Sequence, residues 1–188
     1  PREHQKAVHK NLKRFNVLLC HRRWGKTVLV CNELIKQAMT NPMPMPRYYY
    51  IAPTYSMAKR TAWDYIKEYT SVITGTQYHE TELRCDLPNG ARIQLLGCER
   101  PNSLRGLAID MCCMDEVAQM PPRMWSEIIR PALADRYELG KKYNFLSGRM
   151  IAIGTPSGRN AFWTLYDFAN HNDDWLAQTF KASETGII

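Results

Sequence analysis

The stretch Cys20-His21-Arg22-Arg23-Trp24-Gly25-Lys26-Thr27 constrains this chain more than any other. It follows an apolar run, Phe15-Asn16-Val17-Leu18-Leu19, that reads as a buried strand, and it precedes a helix-like segment over 27–39. Strand, short basic loop and helix in that order are the frame of a phosphate-binding loop. Successive N–H groups at a helix start face an anion, and a glycine beside them lets the backbone approach it closely. In that frame Lys26 would reach the β/γ-phosphates of a nucleotide, and the Thr27 hydroxyl would ligate Mg²⁺. Position 20 holds Cys where the pattern has Gly, so taken alone the stretch also fits a basic, solvated turn.

A second constellation narrows the choice. Met111-Cys112-Cys113-Met114 is an apolar run that ends in two carboxylates, Asp115-Glu116. A charge at a core edge costs free energy unless it is paired or used. In a nucleotide site the use is direct. Asp115 would hold Mg²⁺ through water, opposite Thr27, and Glu116 would polarise the attacking water. Asp-Glu after an apolar run is a weak motif by itself, and it gains weight from the phosphate loop upstream.

The rest of the chain supplies an α/β frame. A basic helix is expected over 3–14 and strands over 15–19 and 47–52, with a proline-rich loop at Pro42, Pro44 and Pro46 between them. A helix over 55–69 follows, then strands over 82–87 and 92–96 joined at Pro88-Asn89-Gly90, a hairpin signal. Residues 108–114 and 150–153 read as buried parallel strands, 160–169 as a helix and 175–180 as a last strand. Alternating strands and helices predict a mostly parallel sheet flanked by helices in three layers, one domain over 1–188.

Charge and cysteine content set further bounds. The net charge is +7, and residues 1–60 hold 12 Lys/Arg against 2 Asp/Glu. Part of that excess lies in the phosphate loop. Lys6, Lys10, Lys13 and Arg14 form a separate cluster that suits a polyanion such as DNA or a solvated helix face. Six cysteines occur without a CxxC pair, which reads as reduced, buried thiols in a cytosolic protein and not as a zinc site. No apolar run reaches the ~18 residues of a membrane span, and no signal peptide is visible. The chain starts at Pro1 rather than Met, as a piece of a longer protein would.

Together these residues resemble the large terminase subunit of tailed bacteriophages, the DNA-packaging motor. Arg22 to Thr27 read Arg-Arg-Trp-Gly-Lys-Thr, as that family's loop often does, with variation at its first glycine. Ala52-Pro53-Thr54, Ser103-Leu104-Arg105-Gly106 and Ile153-Gly154-Thr155-Pro156 are similar to three further family segments. The resemblance implies ATP and Mg²⁺ as cofactors, with Arg22, Arg23, Trp24, Gly25, Lys26 and Thr27 at the nucleotide. It implies Gln5 near the adenine, Arg22 as a cis-acting sensor of the γ-phosphate and Arg105 as an arginine finger offered to a neighbouring subunit. Gly154, Thr155 and Pro156 would be the coupling segment. It also implies a homo-oligomeric ring when assembled, a monomer in isolation, and double-stranded DNA, a portal protein and a small terminase subunit as partners. The place of work would be the host cytoplasm, docked on the procapsid. The family's C-terminal nuclease domain is not expected within 1–188, where Asp173-Asp174 is a lone acidic pair.

Two other functions fit some of the same residues. The first motor domain of a helicase or other translocase shares the Gln, the loop, the Asp-Glu pair and a coupling motif. The Arg22-to-Lys26 spacing and Arg105-Gly106 favour the terminase. A non-catalytic nucleic-acid-binding scaffold with a degenerate nucleotide site is disfavoured by the retained Lys26, Thr27, Asp115 and Glu116.

Overall fold

The computed structural model describes residues 3–155 and 158–185. Helix α1 (Glu3–Asn11) ends before the expected 14, and Asn16 is the cause. The Asn16 side chain accepts from the Lys13 N–H at 2.8 Å and donates to the Lys13 carbonyl at 2.9 Å. A side chain thus takes over backbone groups that would have continued the helix. The same amide donates to the Met150 carbonyl at 3.0 Å and so ties the start of β1 (Phe15–Cys20) to its neighbour.

Helix α2 (Lys26–Thr40) follows the loop, and β2 (Arg47–Ala52) follows the prolines. Thr54 then caps α3 (Tyr55–Ala58), accepting from the Met57 N–H at 3.1 Å. A π-helical turn, Lys59–Trp63, joins it to α4 (Asp64–Thr70), so the expected single helix carries a bulge. β3 (Gln77–His79), β4 (Arg84–Asp86) and β5 (Arg92–Gly97) form an antiparallel meander, and Gly90, at φ 83°, makes the turn before β5.

β6 (Met111–Asp115) starts later than the expected 108, because Asp110 is held at its base. Asp110 accepts two bonds from Arg136, at 3.0 and 2.8 Å, one from Ser147 at 2.6 Å and one from the Arg47 N–H at 2.7 Å. A π-helical stretch, Met124–Ile129, runs into α5 (Arg130–Lys142). β7 (Arg149–Gly154), α6 (Ala161–Asn170), β8 (Trp175–Phe180) and the short α7 (Ala182–Thr185) complete the chain.

The strands form one sheet in the order β3-β4-β5-β2-β6-β7-β1-β8, parallel from β5 to β8. Alternating side chains serve two cores. Leu18, Cys20, Tyr48 and Tyr50 face α1 to α4 on one side, and Val17, Leu19, Tyr49 and Ile51 face α5 and α6 on the other. This is the expected three-layer α/β fold. All six cysteines are buried and unpaired, with Cys20 pushed up to about 12 by burial. Register fixes the site: Leu19 pairs with Gly154, and Asp115 pairs with Ile153. The loop after β1, the acidic end of β6 and Thr155 after β7 therefore emerge side by side at the carboxyl end of the sheet, where open α/β sheets bind ligands.

Candidate active site

The loop between β1 and α2 is shaped by two left-handed residues, Arg23 at φ 65° and Gly25 at φ 92°. Cys20 keeps an ordinary backbone as the last residue of β1, so the absent first glycine costs this loop nothing in conformation. Trp24 lies between the two left-handed residues and is fully buried. Its ring packs against His4 at 5.0 Å and Phe180 at 4.6 Å, and the His21 N–H donates to the Phe180 carbonyl at 3.1 Å. The expected nucleotide residue Trp24 is thus an anchor beneath the loop, with its ring out of reach of a ligand.

Gln5 is likewise 1 % exposed, and its amide donates to the Gly25 carbonyl at 3.0 Å. A Cβ at Gly25 would meet that amide nitrogen at 2.6 Å. Gln5 therefore braces the loop from below. Its bond to Gly25 is to the loop backbone and not to a base.

Above the loop, Arg22, Arg23 and Lys26 line a cleft of about 460 Å³ with Met57, Glu116, Ala118, Gln119 and Thr155. The Lys26 ammonium lies 3.8 Å from Glu116 Oε1 and donates to Thr155 Oγ1 at 3.3 Å. The Thr155 N–H donates to Glu116 Oε2 at 3.4 Å. Glu116 itself is left-handed, at φ 50° and ψ 49°, just past β6. Such a backbone costs a non-glycine residue on the order of 1–3 kcal/mol, and strain of this kind concentrates at functional sites. Thr27, the second residue of α2, is half-buried beside Lys26.

Asp115, one residue before Glu116, is 3 % exposed. Burial pushes its carboxyl up to about 6, against the hydrogen bond from Tyr50. The Tyr50 hydroxyl donates to Oδ2, and Oδ1 has no hydrogen-bond partner among the described residues. A buried carboxylate oxygen without a donor is costly, and a cation or its water would satisfy it.

The expected coupling residues divide. Gly154 ends β7, where a Cβ would meet Phe162 at 2.9 Å, and Thr155 sits in the cleft. Pro156 lies outside the described residues. Arg105 stands apart from the Lys26 cleft. It is 56 % exposed, bonds Asn102 Oδ1 at 3.1 Å and lies 3.8 Å from Glu127, in a depression with Pro121 and Pro122. The sequence reading missed Tyr50, Met57 and Gln119. Only the β2–β6 pairing brings Tyr50 to Asp115, and no spacing signals it.

A parallel sheet with Gly-Lys-Thr after an inner strand, and Asp-Glu at the end of another, defines the class: a P-loop domain. The sequence matches the family described as the terminase large subunit, T4likevirus-type, N-terminal, over residues 18–184, and the chain belongs to that family. It is 24% identical over 185 residues to the terminase large subunit of Thermus virus P23-45, covering 88% of this chain and 36% of that protein. The chain thus spans little more than a third of that relative's length. The large terminase ATPase domain of Thermus phage P74-26 has the same fold, with a TM-score of 0.78, 22% identity and coverage of 98% of this chain and 82% of that one. The HK97 bacteriophage large terminase superposes with a TM-score of 0.72 at 15% identity, over 97% of this chain and 40% of that one. The large terminase of another thermophilic bacteriophage, in complex with ADP, gives 0.69 at 16% identity, over 94% and 42%.

Proposed function

We propose that this chain is an ATP-hydrolysing motor domain that drives viral double-stranded DNA into a procapsid. The observation that carries the reading is the meeting of Lys26, Glu116 and Thr155 in one cleft, with contacts of 3.3 to 3.8 Å, under two further arginines. Three cations around left-handed loop backbone suit a triphosphate. ADP in the thermophilic-phage terminase of similar fold supports the same ligand class here.

Chemically, Lys26 would neutralise the β/γ-phosphates, and the loop N–H groups would orient them. Glu116 would align and polarise the attacking water. Arg22, exposed at the cleft, would sense the γ-phosphate. Thr27 and Asp115 would hold Mg²⁺, with the orphaned Oδ1 of Asp115 as the observation that fits it. When bound, the metal ion would supply charge neutralisation between the β- and γ-phosphates. A γ-phosphate would also compete for the Lys26 ammonium, freeing Thr155 and Glu116 from it. That exchange is a physical route from nucleotide state to the segment after β7.

DNA, a portal protein, a small terminase subunit and a homo-oligomeric ring built from monomers belong to this proposal, as do the host cytoplasm and an endonuclease activity of the parent protein. Among the described residues no helix is long and apolar enough to cross a membrane. The test is ATP turnover with Mg²⁺ by wild type and Lys26→Ala. Hydrolysis that Lys26→Ala abolishes, together with weaker nucleotide binding, supports the reading. Near-normal turnover in the variant contradicts it.

A further inference from the structure

Resting on the P-loop reading above, we infer that Tyr50 is the positioning residue for Asp115: its hydroxyl fixes one carboxylate oxygen so that the other is presented to the metal–nucleotide complex. β2 lies beside β6, with Tyr50 paired to Cys113, so Asp115 is the next residue along β6 on the same face. Tyr50 is 0 % exposed and donates to Asp115 Oδ2, while Oδ1 is left without a partner among the described residues.

Tyr48, two residues earlier on the same face, is an internal control. It is as deeply buried, at 1 % exposed. Its hydroxyl donates to the Gln37 carbonyl and accepts from the Asn41 amide, both at 2.8 Å, and so closes the end of α2. That is a structural use of a buried phenol. Tyr50 instead meets a carboxylate at the mouth of the site. A Phe and an apolar residue would pack the same space without burying a charge, so packing alone does not explain the pair.

The physics is one of selection between two oxygens. A buried carboxylate with one strong donor cannot turn freely about its last torsion, and the bonded oxygen is withdrawn from other ligands. Without the hydroxyl, both oxygens of Asp115 lack a donor. The group can then rotate or be drawn to the Lys26 ammonium, and it no longer offers one oxygen in a fixed direction.

The experiment measures the affinity of the 188-residue chain for a fluorescent, non-hydrolysable ATP analogue with and without Mg²⁺, and the Mg²⁺ concentration that half-saturates the gain. Tyr50→Phe should bind the analogue normally without Mg²⁺ and need about tenfold more Mg²⁺ for the gain, the scale of one hydrogen bond to a charged group. Tyr48→Phe, losing an equally buried hydroxyl, should be less stable with an unchanged Mg²⁺ requirement. An unchanged requirement in folded Tyr50→Phe, or an equal shift in Tyr48→Phe, overturns the inference while leaving the P-loop reading intact. No analogue binding by wild type, or equal binding by Lys26→Ala, overturns both. If Tyr50→Phe does not fold, 3-fluorotyrosine placed at position 50 of the otherwise wild-type chain answers the same question. Its ¹⁹F resonance should move when Mg²⁺ joins the analogue, and a resonance that does not respond overturns the inference.

Discussion

Lys26 and Glu116 face each other at 3.8 Å across the cleft, though they sit ninety positions apart, on a helix start and a strand end. Thr155 closes the triangle by accepting from Lys26 and donating its N–H to Glu116. A lysine that neutralises a phosphate and a glutamate that activates water need the same neighbourhood. Without nucleotide they neutralise each other.

Gly25→Ala should disable the loop. The backbone there has φ 92°, and the added Cβ would meet the Gln5 amide at 2.6 Å. Left-handed strain in a non-glycine residue costs on the order of 1–3 kcal/mol before the clash is counted. A lower unfolding temperature and loss of nucleotide affinity are expected. Unchanged stability and affinity would mean that the loop adopts another path.

Glu33→Gln should destabilise the fold and leave the cleft alone. Glu33 is buried under α1, with His9 at 2.6 Å, Gln37 at 2.7 Å and Arg149 at 3.6 Å. Burial alone would raise its carboxyl, but the bonds from His9 and Gln37, with the charges of Lys36 and Arg149, hold it below the ordinary carboxylate range. Removing one partner of such a pair costs about 3 kcal/mol, because Arg149 stays buried and uncompensated. A depressed carboxylate stabilises the native state above its unfolded pKa, and that contribution is lost as pH falls through the native value. The stability gap between wild type and variant, measured by denaturant unfolding, should therefore be full at neutral pH and narrow under acid. A gap that widens on acidification would contradict this.

Arg105 should act across a subunit boundary, because it lies in a depression separate from the Lys26 cleft. Arg105→Ala should change little in a dilute monomer with slow turnover. In the assembled motor it should remove much of the rate, since a finger in trans is worth about 10³–10⁵. Rings mixed from Arg105→Ala and Glu116→Gln subunits should regain partial activity, because some interfaces join an intact Arg105 to an intact Glu116. Failure to recover, with mixed assembly confirmed, would count against a trans role.

The buried strands were legible because parallel strands covered on both faces read as apolar runs, as Val17 to Leu19 and Met111 to Met114 do. Lys26, Thr27, Asp115 and Glu116 were legible because each motif is local and the strand order brings them together. What escaped depends on partners distant in sequence. Gln5 and Trp24 were read as ligand contacts, yet both are buried supports of the loop, a role that only the return of α1 and β8 against it creates. The Tyr50–Asp115 bond needs the β2–β6 pairing. α5 was missed because few of its residues are buried, chiefly Leu133 and Gly140, so its sequence carries little apolar periodicity. β3 is three residues long and cannot show alternation.

Glu116→Gln tests the central claim most directly. Glutamine keeps the size of the side chain and the left-handed backbone position, and it loses the charge that polarises water. The measurement is nucleotide affinity and single-turnover ATP hydrolysis on the same sample. Affinity within a few-fold of wild type, with hydrolysis reduced by about 10² or more, is the expected result. Equal loss of affinity and hydrolysis would make Glu116 a binding or structural residue, and hydrolysis at the wild-type rate would remove it from the chemistry.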